Sequence, residues 1–157
     1  MEFKGLNKTL TSGSKFAFEL GRSENEGTNM KLEEIESALH AIGCELRKDG
    51  EESSFDFHGG RVMVEDRNGE VILSSMIGHL SEIQESGLPN VVISFLDANL
   101  HLQPASVGIL VEEHDVAIKA TVLVDNKASL KKSLAALDMA IRTGVSIMAH
   151  ASEVAMA

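Results

Sequence analysis

Two short turn signals, each flanked by alternating apolar residues, constrain most strongly what this chain can fold into. Phe55 and Phe57 alternate with Ser54, Asp56 and His58, and Gly59-Gly60 leads on to Val62 and Val64. Asn68-Gly69 then precedes Val71, Ile72 and Leu73, which run into Met76-Ile77. A Gly-Gly pair supplies the positive φ angles of a two-residue hairpin, and Asn-Gly is a strong hairpin signal. Connections this short leave no room for a crossover, so the three strands form an antiparallel meander.

The remaining elements follow from periodicity. Leu32, Ile35, Leu39 and Ile42 recur at helical spacing, with Glu33, Glu34 and Glu36 early, where the helix dipole favours anions. This predicts a helix over residues 30–42, capped by Asn29 and stopped by Gly43. A short helical turn is expected between His79 and Ser86, broken by Gly87-Leu88-Pro89. Residues 90–102 have both strand propensity and a helical face through Val92, Phe95, Leu96 and Asn99; a helix is the favoured reading, with Pro104 at its exit. Residues 107–111 and 116–124 read as two strands around a turn at Glu113-His114-Asp115. A long final helix carries Leu130, Leu134, Leu137, Ile141, Val145 and Met148 as its apolar stripe. Asp125 or Asn126 caps it, and Gly144 weakens it by about 1 kcal/mol relative to Ala. The predicted order is α-β-β-β-α-β-β-α, an α+β fold of a twisted antiparallel sheet with covering helices.

Residues 1–29 differ from the rest. They are rich in Gly, Ser, Thr and Asn, and residues 23–29 read as a solvated linker. They are expected to form a mobile N-terminal arm ahead of a single domain over 30–157. Within the arm, Phe16-Ala17-Phe18-Glu19-Leu20 alternates like a strand, to be added to a sheet or folded on a partner.

The formal charge of −10 and the absence of Trp and Tyr disfavour nucleic acid and anionic membranes as partners, since both call for excess Lys and Arg. The single cysteine, Cys44, cannot form an internal disulfide and fits a reducing compartment. With no secretory or membrane-spanning run, the expected location is cytoplasmic.

Chemistry is sparse. The six histidines (His40, His58, His79, His101, His114 and His150) lack metal-ligand spacing to one another or to Cys44. No phosphate-binding glycine loop, nucleophile elbow or zinc-protease motif appears. Glu112, Glu113 and Asp115 cluster at a hairpin tip, as solvated turns commonly do. The expectation is a protein that is not an enzyme and uses no cofactor or metal. A small enzyme with a site between sheet and last helix, watched for at His150, Asp138 or Cys44, is the least favoured reading. Seven methionines supply adaptable apolar surface, suited to core filling or to varied partners.

The element order, the acidic balance and the stretch Phe95-Leu96-Asp97-Ala98-Asn99-Leu100-His101-Leu102 resemble the class I chaperones of bacterial type III secretion, the Tir-chaperone-like family. The resemblance covers about residues 30 to 155, and the 29 residues ahead of the first helix depart from the pattern. It implies a type III secretion chaperone-like fold and a cytoplasmic homodimer. Such a dimer binds the N-terminal segment of a secreted effector, keeping it non-globular and export-competent by apolar contact and strand addition. The dimer interface is expected at Val92, Phe95, Leu96, Asn99 and Leu100, and effector binding at Leu32, Ile35, Phe55 and Val62. The alternative is a regulatory or adaptor protein of the same fold that binds a folded partner without a secretion role.

Overall fold

The computed structural model describes residues 32–156. The expected arm over 1–29, the strand-like run at 16–20 and the Asn29 cap lie outside the described residues.

Helix α1 spans Leu32–Ala41 and buries Ile35 and Leu39, with Glu33 and Glu34 in its first turn. It stops as its sequence predicts. Gly43 takes φ +83°, where a Cβ is disfavoured, and the Cys44 amide folds back to the Leu39 carbonyl at 2.9 Å.

Six strands then form one antiparallel sheet: β1 (Arg47–Asp49), β2 (Glu52–Phe57), β3 (Gly60–Arg67), β4 (Glu70–His79), β5 (Ala105–Glu112) and β6 (Asp115–Val124). Their spatial order is β1-β2-β3-β4-β6-β5. The expected meander is β2-β3-β4. Its second turn is Asn68-Gly69, with both residues at positive φ and Arg67 facing Glu70. Its first turn is shifted by one residue from expectation. Phe57 pairs with Gly60, so His58 and Gly59 are the central pair and carry φ of 48° and 82°. Strand β1 is an addition to the predicted order, since its three residues are all charged and carry no apolar alternation.

Between β4 and helix α2 (Leu88–Asn99) the chain makes two 3-10 turns, Leu80–Glu82 and Glu85–Gly87. The helical reading of this region holds, but α2 starts earlier than predicted. Pro89 sits in its first turn, where the missing N–H costs nothing. Helix α3 (Leu130–Met156) closes the fold. Ahead of it, Asn126 caps the 3-10 turn Lys127–Ser129: its Oδ1 accepts from the Ser129 amide at 2.9 Å, and Ser129 Oγ accepts from the Asn126 amide at 3.2 Å.

The core lies on one side of the sheet. Strand register puts Phe55, Val62, Leu73, Val122 and Ala120 on the same face, and these pack with Ile35 and Leu39 of α1, Val91 and Phe95 of α2, and Leu134 and Leu137 of α3. The opposite face is mixed. It carries Met63, Ile72, Met76, Thr121 and Leu123, of which Met76 and Leu123 are exposed. No helix among the described residues is long and apolar enough to cross a membrane.

Candidate partner-binding surface

Helix α2 divides its apolar residues between two directions. Val91 and Phe95 point into the core, and Phe95 is only 4% exposed. One step round the helix, Val92, Ile93, Leu96 and Leu100 point outward; Leu96 is 65% and Leu100 74% exposed. Their spacing of three, four and seven residues places them on one stripe about 100° wide. Water therefore meets a continuous apolar row on a helix whose other side is already used by the subunit's own core.

Asn99 lies at the end of α2 and holds it to the sheet. Its Nδ2 donates to the Val107 carbonyl at 2.9 Å, and its Oδ1 accepts from the Val107 amide at 2.7 Å. The side-chain amide thus pairs with the backbone of β5 as a neighbouring strand would. Among the described residues strand β5 is an edge, bonded on one side to β6. Because backbone groups alternate sides along a strand, Asn99 also identifies which residues of β5 face outward: Ala105, Val107, Ile109 and Val111. The Ala105 amide bonds the Leu102 carbonyl at 2.9 Å. Past Val107 the edge continues through exposed Ile109, Leu110 and Val111, the last 77% exposed.

These placements correct several expected roles. Phe95 is a core residue and Asn99 an intramolecular bridge, so of the five residues expected at a dimer interface only Val92, Leu96 and Leu100 are presented outward. Ile93, which was not singled out, joins them. Ile35, Phe55 and Val62 have no accessible surface and form the centre of the core, out of reach of a partner. Leu32 is half-buried at the start of α1 and packs against that core. Helical and strand periodicity identifies the apolar faces of these elements but not which are covered, and that is why Ile93 was missed. Val145 is likewise exposed, and Gly144 takes its place on the inward stripe of α3.

Two small polar clusters centre on Asp138 and Asp115. His58 stacks on Phe57 at 4.0 Å between ring centres and contacts Asp138 Oδ1 through Nδ1 at 3.0 Å; Arg142 holds the other oxygen of Asp138 at 2.9 Å. Asp115 lies 2.6 Å from His79 Nδ1 and 3.5 Å from Ser81 Oγ. Here the carboxylate stands between histidine and hydroxyl, whereas activating a serine needs the histidine between the other two. Burial pushes the Cys44 thiol up, the opposite of what a reactive thiolate requires. No group of three or more His, Cys, Asp or Glu suited to a metal occurs among the described residues. A groove of about 540 Å³ runs between α2 and α3, lined by Asn90, Ile93, Ser94, Ser146 and His150 among others. His150 is its one ionisable side chain, and the two other residues watched for, Asp138 and Cys44, do not line it.

No family model matches the sequence, and a search of curated proteins finds no match. Among solved structures the chain is similar to YbjN of E. coli, described as a candidate transcription regulator, with a TM-score of 0.61 at 8% identity. The match covers 77% of this chain and 93% of YbjN, and at that identity it shows a shared α+β fold.

Proposed function

We propose that this protein is a non-catalytic, cytoplasmic, homodimeric binder of other polypeptides. The observation that carries the reading is the outward apolar row of Val92, Ile93, Leu96 and Leu100 on α2. A row of this kind on a soluble domain favours contact with a further apolar surface. A second copy of the same helix is self-complementary about a two-fold axis, so the homodimer is the simplest assembly to cover it. The buried positions of Ile35, Phe55 and Val62 move any cargo contact elsewhere, to the open edge of β5 and the uncovered sheet face around Met76 and Leu123. With the resemblance of residues 30–155 to class I type III secretion chaperones, the cargo would be the N-terminal segment of a secreted effector, held extended without ATP hydrolysis.

The fold shared with YbjN favours a second reading, a regulatory adaptor that binds a folded partner. Both readings need the dimer. Light scattering at micromolar concentration should give twice the chain mass for the wild type and the chain mass for Leu96→Asp combined with Leu100→Asp. A monomeric wild type, or a variant that stays dimeric, refutes the assembly. The two readings part on the partner: a secreted effector encoded beside this gene and co-purifying through its N-terminal segment selects the chaperone, and a folded regulator the adaptor.

A further inference from the structure

Helices α2 and α3 do not close on each other along their whole length. Ser86, in the 3-10 turn before α2, is followed at intervals of four by Asn90 and Ser94, so the three border the gap in one row. Ser146 and His150, also four apart, border it on α3. Large apolar side chains in these rows would interdigitate and fill the space, whereas short polar ones leave it open. The result is a groove of about 540 Å³, within the range of sites that take a small organic molecule. Its base is apolar: Val91 is 1% exposed and Ile147 half-buried.

The lining selects the kind of molecule. It contains no Asp, Glu, Lys or Arg, in a chain that has 24 acidic and 14 basic residues. An ion held there would give up hydration without meeting a fixed counter-charge. The five polar side chains are three hydroxyls, one amide and one imidazole, groups that both donate and accept. None of the five forms a side-chain hydrogen bond or ion pair with another of the described residues. Ser86 to Ser94 spans about 12 Å at the helical rise, so these groups border the apolar base along its length and do not gather at one end.

We infer that the groove between α2 and α3 binds an uncharged amphipathic small molecule that carries several hydroxyl groups, of the alkyl glycoside type. Its apolar part would cover Val91 and Ile147. Its hydroxyls would exchange hydrogen bonds with the Asn90 amide, the Ser94 and Ser146 hydroxyls and the His150 ring. A carboxylate ligand of the same size fits less well, because neither wall offers a Lys or Arg to pair with it. The site is separate from the surfaces assigned to other polypeptides. Of the outward row on α2 only Ile93 reaches the groove; Val92, Leu96, Leu100 and the open half of β5 do not line it.

Titration of the isotope-labelled full chain with n-octyl-β-D-glucoside, kept below micelle formation and followed by amide chemical shifts, tests the inference. Saturable shifts should centre on Gly87, Asn90, Ser94 and residues 146–151, and octanoate should bind at least about tenfold more weakly. Ser146→Trp places an indole in the groove from an exposed helix position and should abolish the shifts, with circular dichroism confirming the fold. Asn90→Ala/Ser94→Ala removes hydrogen bonds without filling the space and should weaken binding about tenfold. The inference is overturned by shifts that do not saturate, by shifts centred on Val92, Leu96 and Leu100, by equal affinity for octanoate, or by wild-type affinity in Asn90→Ala/Ser94→Ala. Leu96→Asp/Leu100→Asp should bind the glucoside as the wild type does. Failure of the groove therefore leaves the dimer reading standing, and a monomeric chain leaves the groove standing.

Discussion

Ile77 fills the notch that Gly144 leaves in helix α3. The end of its side chain, Cδ1, lies where a Cβ on residue 144 would stand, and its Cγ1 and Cγ2 are 3.4 Å from that position. Ile77 itself sits at the bulge between Met76 and Gly78, where the β4–β6 register shifts. The bulge and the helical glycine are thus two parts of one packing contact.

Gly144→Ala should therefore destabilise the protein, although alanine is the better helix former by about 1 kcal/mol. The expected loss is about 1–3 kcal/mol from overpacking. Ile77→Val removes the colliding Cδ1, so the double variant should be more stable than the sum of the two single losses implies. A double-mutant cycle by denaturant unfolding checks this, and strict additivity would reject the contact as the cause.

Asn99→Ala removes both bonds to Val107 and opens the middle of the β5 edge. The Val107 amide should lose protection and exchange at the rate of an open edge. Thermal unfolding should register a loss of about 1–2 kcal/mol. Unchanged exchange at Val107 would show that the side chain does not bridge helix and strand in solution.

Burial raises the Cys44 thiol above its ordinary value. The folded protein then holds that proton more tightly than the unfolded chain. This contribution to stability is fully present below the unfolded value and is lost as pH rises through the folded one. Above roughly pH 9, wild type should lose stability faster with pH than Cys44→Ala, and the difference should vanish at neutral pH. Parallel denaturation curves at pH 7 and pH 10 measure it; equal slopes for the two proteins would contradict the burial argument.

The legible parts of this fold are those in which local chemistry determines the backbone. Asn68-Gly69 has one low-energy use between alternating strands, and the chain uses it so. Gly43 ends α1 as expected because a left-handed residue there satisfies the last carbonyls. Strand β1 was illegible because Arg47, Lys48 and Asp49 carry no apolar period; they are a strand only by pairing with Ser54, Ser53 and Glu52. The His58-Gly59 turn was misplaced by one residue because histidine at positive φ is uncommon, and here its ring is held by Phe57 and Asp138. The candidate site suffered most. Periodicity identified α2 and the apolar character of both its faces. Which face the subunit covers depends on where α3 and β5 pack, and that is set by residues far away in sequence.

Phe95 and Leu96 make that distinction measurable. They are adjacent, both large and apolar, and a sequence reading assigns both to one interface. Phe95 is enclosed by the subunit, so Phe95→Asp places a charge in the core and should cost about 4 kcal/mol or more, a large part of the stability of a domain this size. Its oligomeric mass then reports unfolding and not interface loss. Leu96→Asp exchanges an exposed side chain for a charged one and should change the unfolding free energy of the subunit by about 0.5 kcal/mol or less. It should nevertheless shift the monomer–dimer balance toward monomer, because the charge would have to be desolvated on association. Far-UV circular dichroism during thermal melting, with light scattering on the same samples, separates the two effects. If Leu96→Asp unfolds the chain or Phe95→Asp leaves it intact, the inward and outward sides of α2 are assigned the wrong way round.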